Sequence, residues 1–202
     1  MNVNRRTQAE RTAATRAALI ASGRKLFGTH GYADVGTQAV VADAGVTRGA
    51  LYHQFGDKRG LFTAVFDAAE EQLVADVVAR MAETGEADPL RLLKLGIRIF
   101  LEAFTDSTVN MIVLVDAPAV LGWKEWRARG EQYGFAMVEE LLEAAVDSGA
   151  VAEQPLRPLA HIAVGALDEA ALYVSGADDP VTARDDVTRA LDRVVDSFAL
   201  GG

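Results

Sequence analysis

Thr47, Arg48, Gly49, Tyr52 and His53 share one side of a short helical segment, and Leu51 and Phe55, four residues apart, mark the other. The apolar pair would pack the segment down and leave the polar set facing outward. Outward-facing threonine, arginine, tyrosine and histidine suit contact with phosphate oxygens and base edges. On these residues alone a second reading stays open, with core aromatics and a solvated arginine. The chain has 202 residues, 20 Lys+Arg and 29 Asp+Glu, a net charge of −9 that by itself argues against a polyanionic partner. The distribution of that charge argues the other way. Residues 1–60 set nine basic side chains (Arg5, Arg6, Arg11, Arg16, Arg24, Lys25, Arg48, Lys58, Arg59) against four acids and carry +5, whereas residues 61–202 carry −14. A basic head on an acidic body fits a head that touches a polyanion and a body that avoids it.

Other chemistry finds little support. With no cysteine, disulfides, thiolate metal sites and cysteine nucleophiles are excluded, which suits a reducing cytoplasm. The three histidines, His30, His53 and His161, lie in no H-E-x-x-H or serine-elbow context, and no Walker motif occurs. No enzyme, metal or cofactor is therefore expected. Asp178, Asp179, Asp185 and Asp186 read as caps and first-turn charges of the last helix rather than as a cation site. The longest aliphatic run, Met111–Val115, is far short of a membrane span, and the basic N-terminus leads into no apolar segment, so neither membrane nor secretory signal is expected.

The elements that position the polar set are helical throughout, about nine helices with no credible strand. Leu19, Ile20, Gly23, Leu26 and Phe27 stripe a helix from about Arg11 to Thr29, which Gly31 would end. Thr37 is expected to cap a short helix to Ala44, Gly45 to turn the chain, and Thr47 to cap the helix Arg48–Phe55. Asp57 would cap a long helix with Leu61, Phe62, Val65, Phe66, Ala69, Leu73, Val77 and Met81 inward, and Asp88-Pro89 would start the next. A short buried helix at 108–115, interrupted near Pro118, then helices at 123–148, 158–175 and 180–200 complete an all-α chain. Two short helices joined by Ala44-Gly45-Val46-Thr47 fit a helix-turn-helix.

At these positions the sequence resembles the tetracycline-repressor (TetR) family of transcription regulators. The resemblance rests on Phe27, Gly31-Tyr32 and the run from Val46-Thr47-Arg48-Gly49-Ala50-Leu51-Tyr52-His53 to Phe55, Asp57-Lys58 and Leu61-Phe62. It covers about residues 12–72, with the helix-turn-helix at about 35–54. It implies a three-helix DNA-binding head, a helical ligand-binding and dimerisation body over 73–202, and a homodimeric, cytoplasmic repressor. The implied partners are a pseudo-palindromic double-stranded DNA operator and a small, largely apolar effector. Carried over by position, Thr47, Arg48, Gly49, Tyr52 and His53 face the major groove, while Thr37 and Lys58 match phosphate-binding places. The rival reading is a small-molecule-binding or enzymatic helical protein that does not regulate transcription.

In the body, Phe100, Phe104, Met111, Leu114, Trp123, Trp126, Tyr133 and Met137 are the candidates to line a ligand chamber, with ordinary core as the alternative. Asp168 and Glu169 stand in an apolar helix. They are expected to pair with Arg189 or Arg193 across a dimer bundle or to reach solvent, and Glu169 is carried as a polar ligand contact. Small residues Ala163, Gly165, Ala166 and Ala170 on one helix, with Val187, Leu191, Val194 and Phe198 on the last, are expected to form a four-helix interface between subunits.

Overall fold

The structure, a computed structural model, describes residues 7–199. Arg5, Arg6 and Leu200 lie outside that range; Arg11 belongs to the first helix. Among the described residues nine helices follow one another: α1 Gln8–Asp34, α2 Thr37–Asp43, α3 Arg48–Phe55, α4 Lys58–Glu83, α5 Pro89–Ala103, α6 Ser107–Leu121, α7 Trp123–Asp147, α8 Leu156–Ser175 and α9 Pro180–Asp196. The same residues form no strand, only an isolated antiparallel bridge from Val151 to Ala199.

The caps explain most boundaries. Thr7 and Glu10 satisfy each other's backbone N–H in a capping box that starts α1. Thr47 accepts from the Ala50 N–H at 3.2 Å, Asp57 from Gly60 at 2.7 Å, Asp88 from Leu90 at 2.9 Å, and Asp179 from Val181 and Thr182. Thr37 departs from expectation: Gly36 holds the cap position of α2 and Thr37 is the first residue inside the helix. Gly45 turns the chain between α2 and α3 at φ +65°, a backbone that L side chains rarely adopt.

Two other boundaries differ from the sequence reading. α1 continues to Asp34 with one non-helical residue, Gly31, inside it. α6 is not interrupted at Pro118. It opens with one α-helical turn, widens into a π-helical segment over Met111–Asp116, and resumes as an α-helix over Ala117–Leu121. Pro118, which has no N–H to donate, falls in the first turn of that last segment, directly after the π turns. The last helix ends at Asp196, capped by Ser197, four residues earlier than the apolar pattern suggested.

A single core cluster runs from Leu19, Val40 and Leu51 in the head through Phe62 and Phe66 to Leu101, Ile112 and Leu142 in the body. α4 starts beside α3, packs on α1 and continues against α5, α6 and α7. At the junction Phe27, Tyr32 and Phe62 form a three-ring cluster with centroids 5.1 to 5.8 Å apart. α1 lies so close to α6 that a Cβ on Gly28 would come within 3.1 Å of the Thr108 Cα and 2.2 Å of its Cγ2. Gly28→Ala is therefore expected to cost about 1–3 kcal/mol through overpacking, and to lower Tm by several degrees in a thermal melt. An unchanged Tm would mean that this contact is not a tight one.

Candidate functional site

The head presents its polar set as expected. Leu51 is fully buried, and Thr47, Arg48, Gly49, Tyr52 and His53 are all exposed on the same side of α3. Arg48 is not a free side chain. One guanidinium nitrogen donates to the Tyr52 hydroxyl at 3.2 Å, and the guanidinium carbon lies 5.3 Å from the Tyr52 ring centroid. The bond from Arg48 holds the Tyr52 phenol below its usual range, with a second pull from Thr37. Arg48 and Tyr52 are thus one connected pair on the outer side of α3. Behind it, the Ser22 hydroxyl donates to the Val40 carbonyl at 3.0 Å and ties α2 to α1. Lys58, half-buried, places its ammonium 4.1 Å from the centre of the Tyr32 ring instead of pointing freely outward.

Behind the head lies an ionic seam that the sequence pattern does not reveal. Arg59, in the first turn of α4, donates to the carbonyls of Val120 and Leu121 and to Glu125 at 2.7 Å. Glu125 also accepts from Arg129, which binds both oxygens of Asp67 at 3.0 Å. On the other side of α4, Asp116 at the end of the π segment accepts from the Tyr32 N–H at 2.6 Å. Burial pushes the Asp116 carboxyl up, and that N–H and Lys58 draw it back down. These contacts join the start of the head's long helix to α6 and α7.

The body encloses a cavity of about 70 Å³ between α4, α5, α6, α7 and α8. Of the nine candidate ligand residues, Phe100, Phe104, Leu114, Trp126 and Met137 line it. The other four do not. Met111 turns toward Gly31 of α1, Trp123 is 63% exposed and stacks outside Trp126, and Tyr133 sits beside Asp67 and Arg129. Burial, first, and Asp67 and Glu71 raise the Tyr133 phenol to about 12. Glu169 is exposed; the acid that faces the cavity is its neighbour Asp168. Within the chain, Asp168 pairs with Arg127 of α7, the helix packed against α8. Burial lifts its carboxyl to about 6 against the pull of Arg127.

Among the cavity residues that the sequence-based candidates miss, three give it its character. Gly130 and Gly134, one turn apart on α7, border the space, and a Cβ on either would meet nothing within 4 Å. Glu70 is the third. It is 8% exposed, borders the cavity, and has no hydrogen-bond or ion-pair partner among the described residues. Its signal is its place on the inward stripe of α4, four residues after Phe66 and three before Leu73.

The candidate interface residues divide. Gly165, Ala166, Val187, Leu191 and Phe198 are half-buried and Val194 is 45% exposed. Val195 is core. Ile162 and Tyr173, on the same side of α8 as Gly165, Ala166 and Glu169, are 65% and 60% exposed.

Desolvation, then the nearby charges of Asp168 and Asp67, raises the Glu70 carboxyl to about 8 from an ordinary 4.5. The folded chain thus keeps a proton that the unfolded chain releases, so stability is highest on the acid side and falls as pH rises through that window. Glu70→Gln cannot titrate. Its unfolding midpoint is expected to vary less than the parent's from about pH 5 to about pH 8, and to exceed the parent's at the upper end. Parallel profiles for the two proteins would show that Glu70 ionises as a solvent-exposed acid does.

Comparison with known proteins agrees with this layout. Residues 19–65 match the family described as bacterial regulatory proteins, tetR family, and residues 90–198 match the tetracyclin repressor-like C-terminal domain. A TetR-family transcriptional regulator of Pectobacterium atrosepticum is 32% identical and superimposes with a TM-score of 0.85, covering 97% of this chain and 99% of its own. The HTH-type transcriptional regulator CymR of Pseudomonas putida is 33% identical over 123 residues, 60% of this chain and 61% of CymR. RolR in complex with resorcinol shares the fold at a TM-score of 0.71 and 20% identity, covering 96% of this chain and 99% of RolR. No single helix among the described residues is long and apolar enough to cross a membrane. With its head, its body and a relative of matching length all pointing the same way, the chain belongs to the TetR family of bacterial transcriptional regulators.

Proposed function

We propose that the protein is a homodimeric repressor that leaves a pseudo-palindromic operator when a small, largely apolar molecule enters the body cavity. The observation that carries this reading is the shared wall between cavity and head. Val113 and Leu114 of the π segment line the cavity, and two residues on Asp116 holds the head at Tyr32. Glu70, Val74 and Val77 line it from α4, whose first turn stands beside α3. A molecule that widens the cavity shifts α4 and α6 together and changes the spacing of the two heads. An effector that favours the spacing unsuited to the operator lowers DNA affinity by linkage, typically by about 1–3 kcal/mol. RolR, of the same fold, holds resorcinol, and a chamber of about 70 Å³ must widen to admit a ring of that size.

In this reading α3 enters the major groove. Arg48, already oriented by Tyr52, takes a guanine edge, and Thr47, Gly49, Tyr52 and His53 serve the backbone and neighbouring bases. Thr37 and Lys58 face phosphates at the starts of α2 and α4. The exposed side of α8, Ile162, Gly165, Ala166 and Tyr173, meets its symmetry mate together with Val187, Leu191, Val194 and Phe198 of α9. The body from about residue 73 thus both binds effector and dimerises.

Two measurements test these assignments. Arg48→Ala is expected to cost about 1–3 kcal/mol on the operator and to relax discrimination at one base position. A gel shift showing parent-like affinity and specificity would take α3 out of the groove. Ile162→Arg with Tyr173→Arg alters side chains that are mostly exposed in the single chain, so folding should survive while light scattering reports monomer. A dimer of undiminished strength would move the interface to another face.

A further inference from the structure

The cavity is apolar apart from Glu70, Asp168 and Arg127, and these three are not equivalent. Arg127 and Asp168 neutralise each other in a direct ion pair. The next guanidinium, Arg129, is taken by Asp67 and Glu125. Glu70 has no such partner among the described residues, although it is buried and borders the space. A carboxyl so placed is costly to the empty protein, because it must remain protonated or ionise without a counter-ion. The titratable groups around it are Asp67 and Glu71 on its own helix, Asp168 from α8, and Arg127, Arg129 and the uncharged Tyr133 from α7. The acids outnumber the guanidiniums, and both guanidiniums are occupied.

Phe100, Phe104 and Trp126 border the same space. Aromatic faces attract cations, and most strongly where water is excluded. An anionic guest would meet two carboxyl groups and a guanidinium already engaged. A neutral guest would leave Glu70 without its opposite charge. A guest with a positive charge relieves the strain on Glu70 and gains the ring faces as well.

We propose that the effector of this cavity is a lipophilic amine, its apolar ring or chain held among Val77, Phe100, Trp126 and Leu141 and its ammonium group donating to the carboxylate of Glu70. This rests on the cavity being the effector site and adds the class of molecule. Binding takes the proton from Glu70 to solvent and leaves an ammonium–carboxylate pair, so affinity for the amine rises with pH until the amine itself loses its charge.

The test uses 2-phenylethylamine, 2-phenylethanol and phenylacetate, which share a ring and differ in charge. The chain has two tryptophans, so Trp123→Phe leaves Trp126 in the cavity wall as the sole reporter. Near pH 7 the amine is expected to bind about tenfold or more tightly than the alcohol, with no binding of the acid. Calorimetry in two buffers of different ionisation enthalpy should show about one proton released per amine and none for the alcohol. Glu70→Gln should keep the alcohol and lose the preference for the amine. The proton count in the parent tests the idea independently of that variant's folding. Equal binding of amine and alcohol, an amine that releases no proton, or an amine preference surviving in Glu70→Gln would overturn the proposal and leave the apolar cavity reading standing. If none of the three binds, both fall.

Discussion

The contact of Phe27, Tyr32 and Phe62, with Lys58 lying over Tyr32 and Asp116 holding the Tyr32 backbone, is what makes the molecule one mechanical piece. Three helices meet there from three stretches of chain. Phe27 comes from the part of α1 that also carries the α2–α3 pair, Phe62 from the first turns of α4, and Asp116 from the end of the π segment. Aromatic rings packed edge to face resist sliding more than aliphatic chains do, because offset and tilt are both part of the attraction. A head fastened by flexible contacts would reorient freely whatever happened in the body. Fastened here, it follows α4 and α6.

The seam around Arg59 does the complementary work with charge. Arg59 joins the first turn of α4 to the carbonyls that end α6 and to Glu125 at the start of α7. Half-exposed ion pairs of this kind contribute little stability singly. Their value lies in direction, since a guanidinium bonded to two carbonyls and a carboxylate tolerates only a narrow range of approach. The apolar cluster therefore supplies the cohesion, and the ionic seam sets the angle at which the long helix leaves the head.

Much of this is legible locally in the sequence. Thr47, Asp57, Asp88 and Asp179 announce their helix starts because capping is decided within three residues, and the spacing of Leu51 and Phe55 settles which side of α3 faces out. The body is less legible because its site is made by packing. Periodicity marks Phe100, Met111, Trp123 and Tyr133 alike as apolar or aromatic, and only the crossing of α4, α7 and α8 decides that Phe100 points into a cavity while Trp123 lies in solvent. Asp168 and Glu169 are adjacent in the chain, but a step of about 100° around the helix separates a half-buried acid that borders the cavity from an exposed one. Pro118 suggests a break, and the π turns before it absorb the disturbance. Glu70 carries a signal that pattern alone makes easy to pass over, an acid on a stripe whose neighbours Phe66, Ala69 and Leu73 are apolar.

Gly130 and Gly134 give the chamber a character of its own. Neither sits at a positive φ and neither is crowded, so the fold would accept alanine at both. Alanine would be better for the helix by roughly 0.5–1 kcal/mol at each position. The void therefore persists against the local preference of the helix that walls it, and its size is set by methyl groups the chain omits. A chamber made by omission can be resized one carbon at a time from α7 alone, without touching the aromatic junction or the face of α3. What the molecule senses and what it grips can consequently diverge in descent, the first drifting by single substitutions while the second stays fixed.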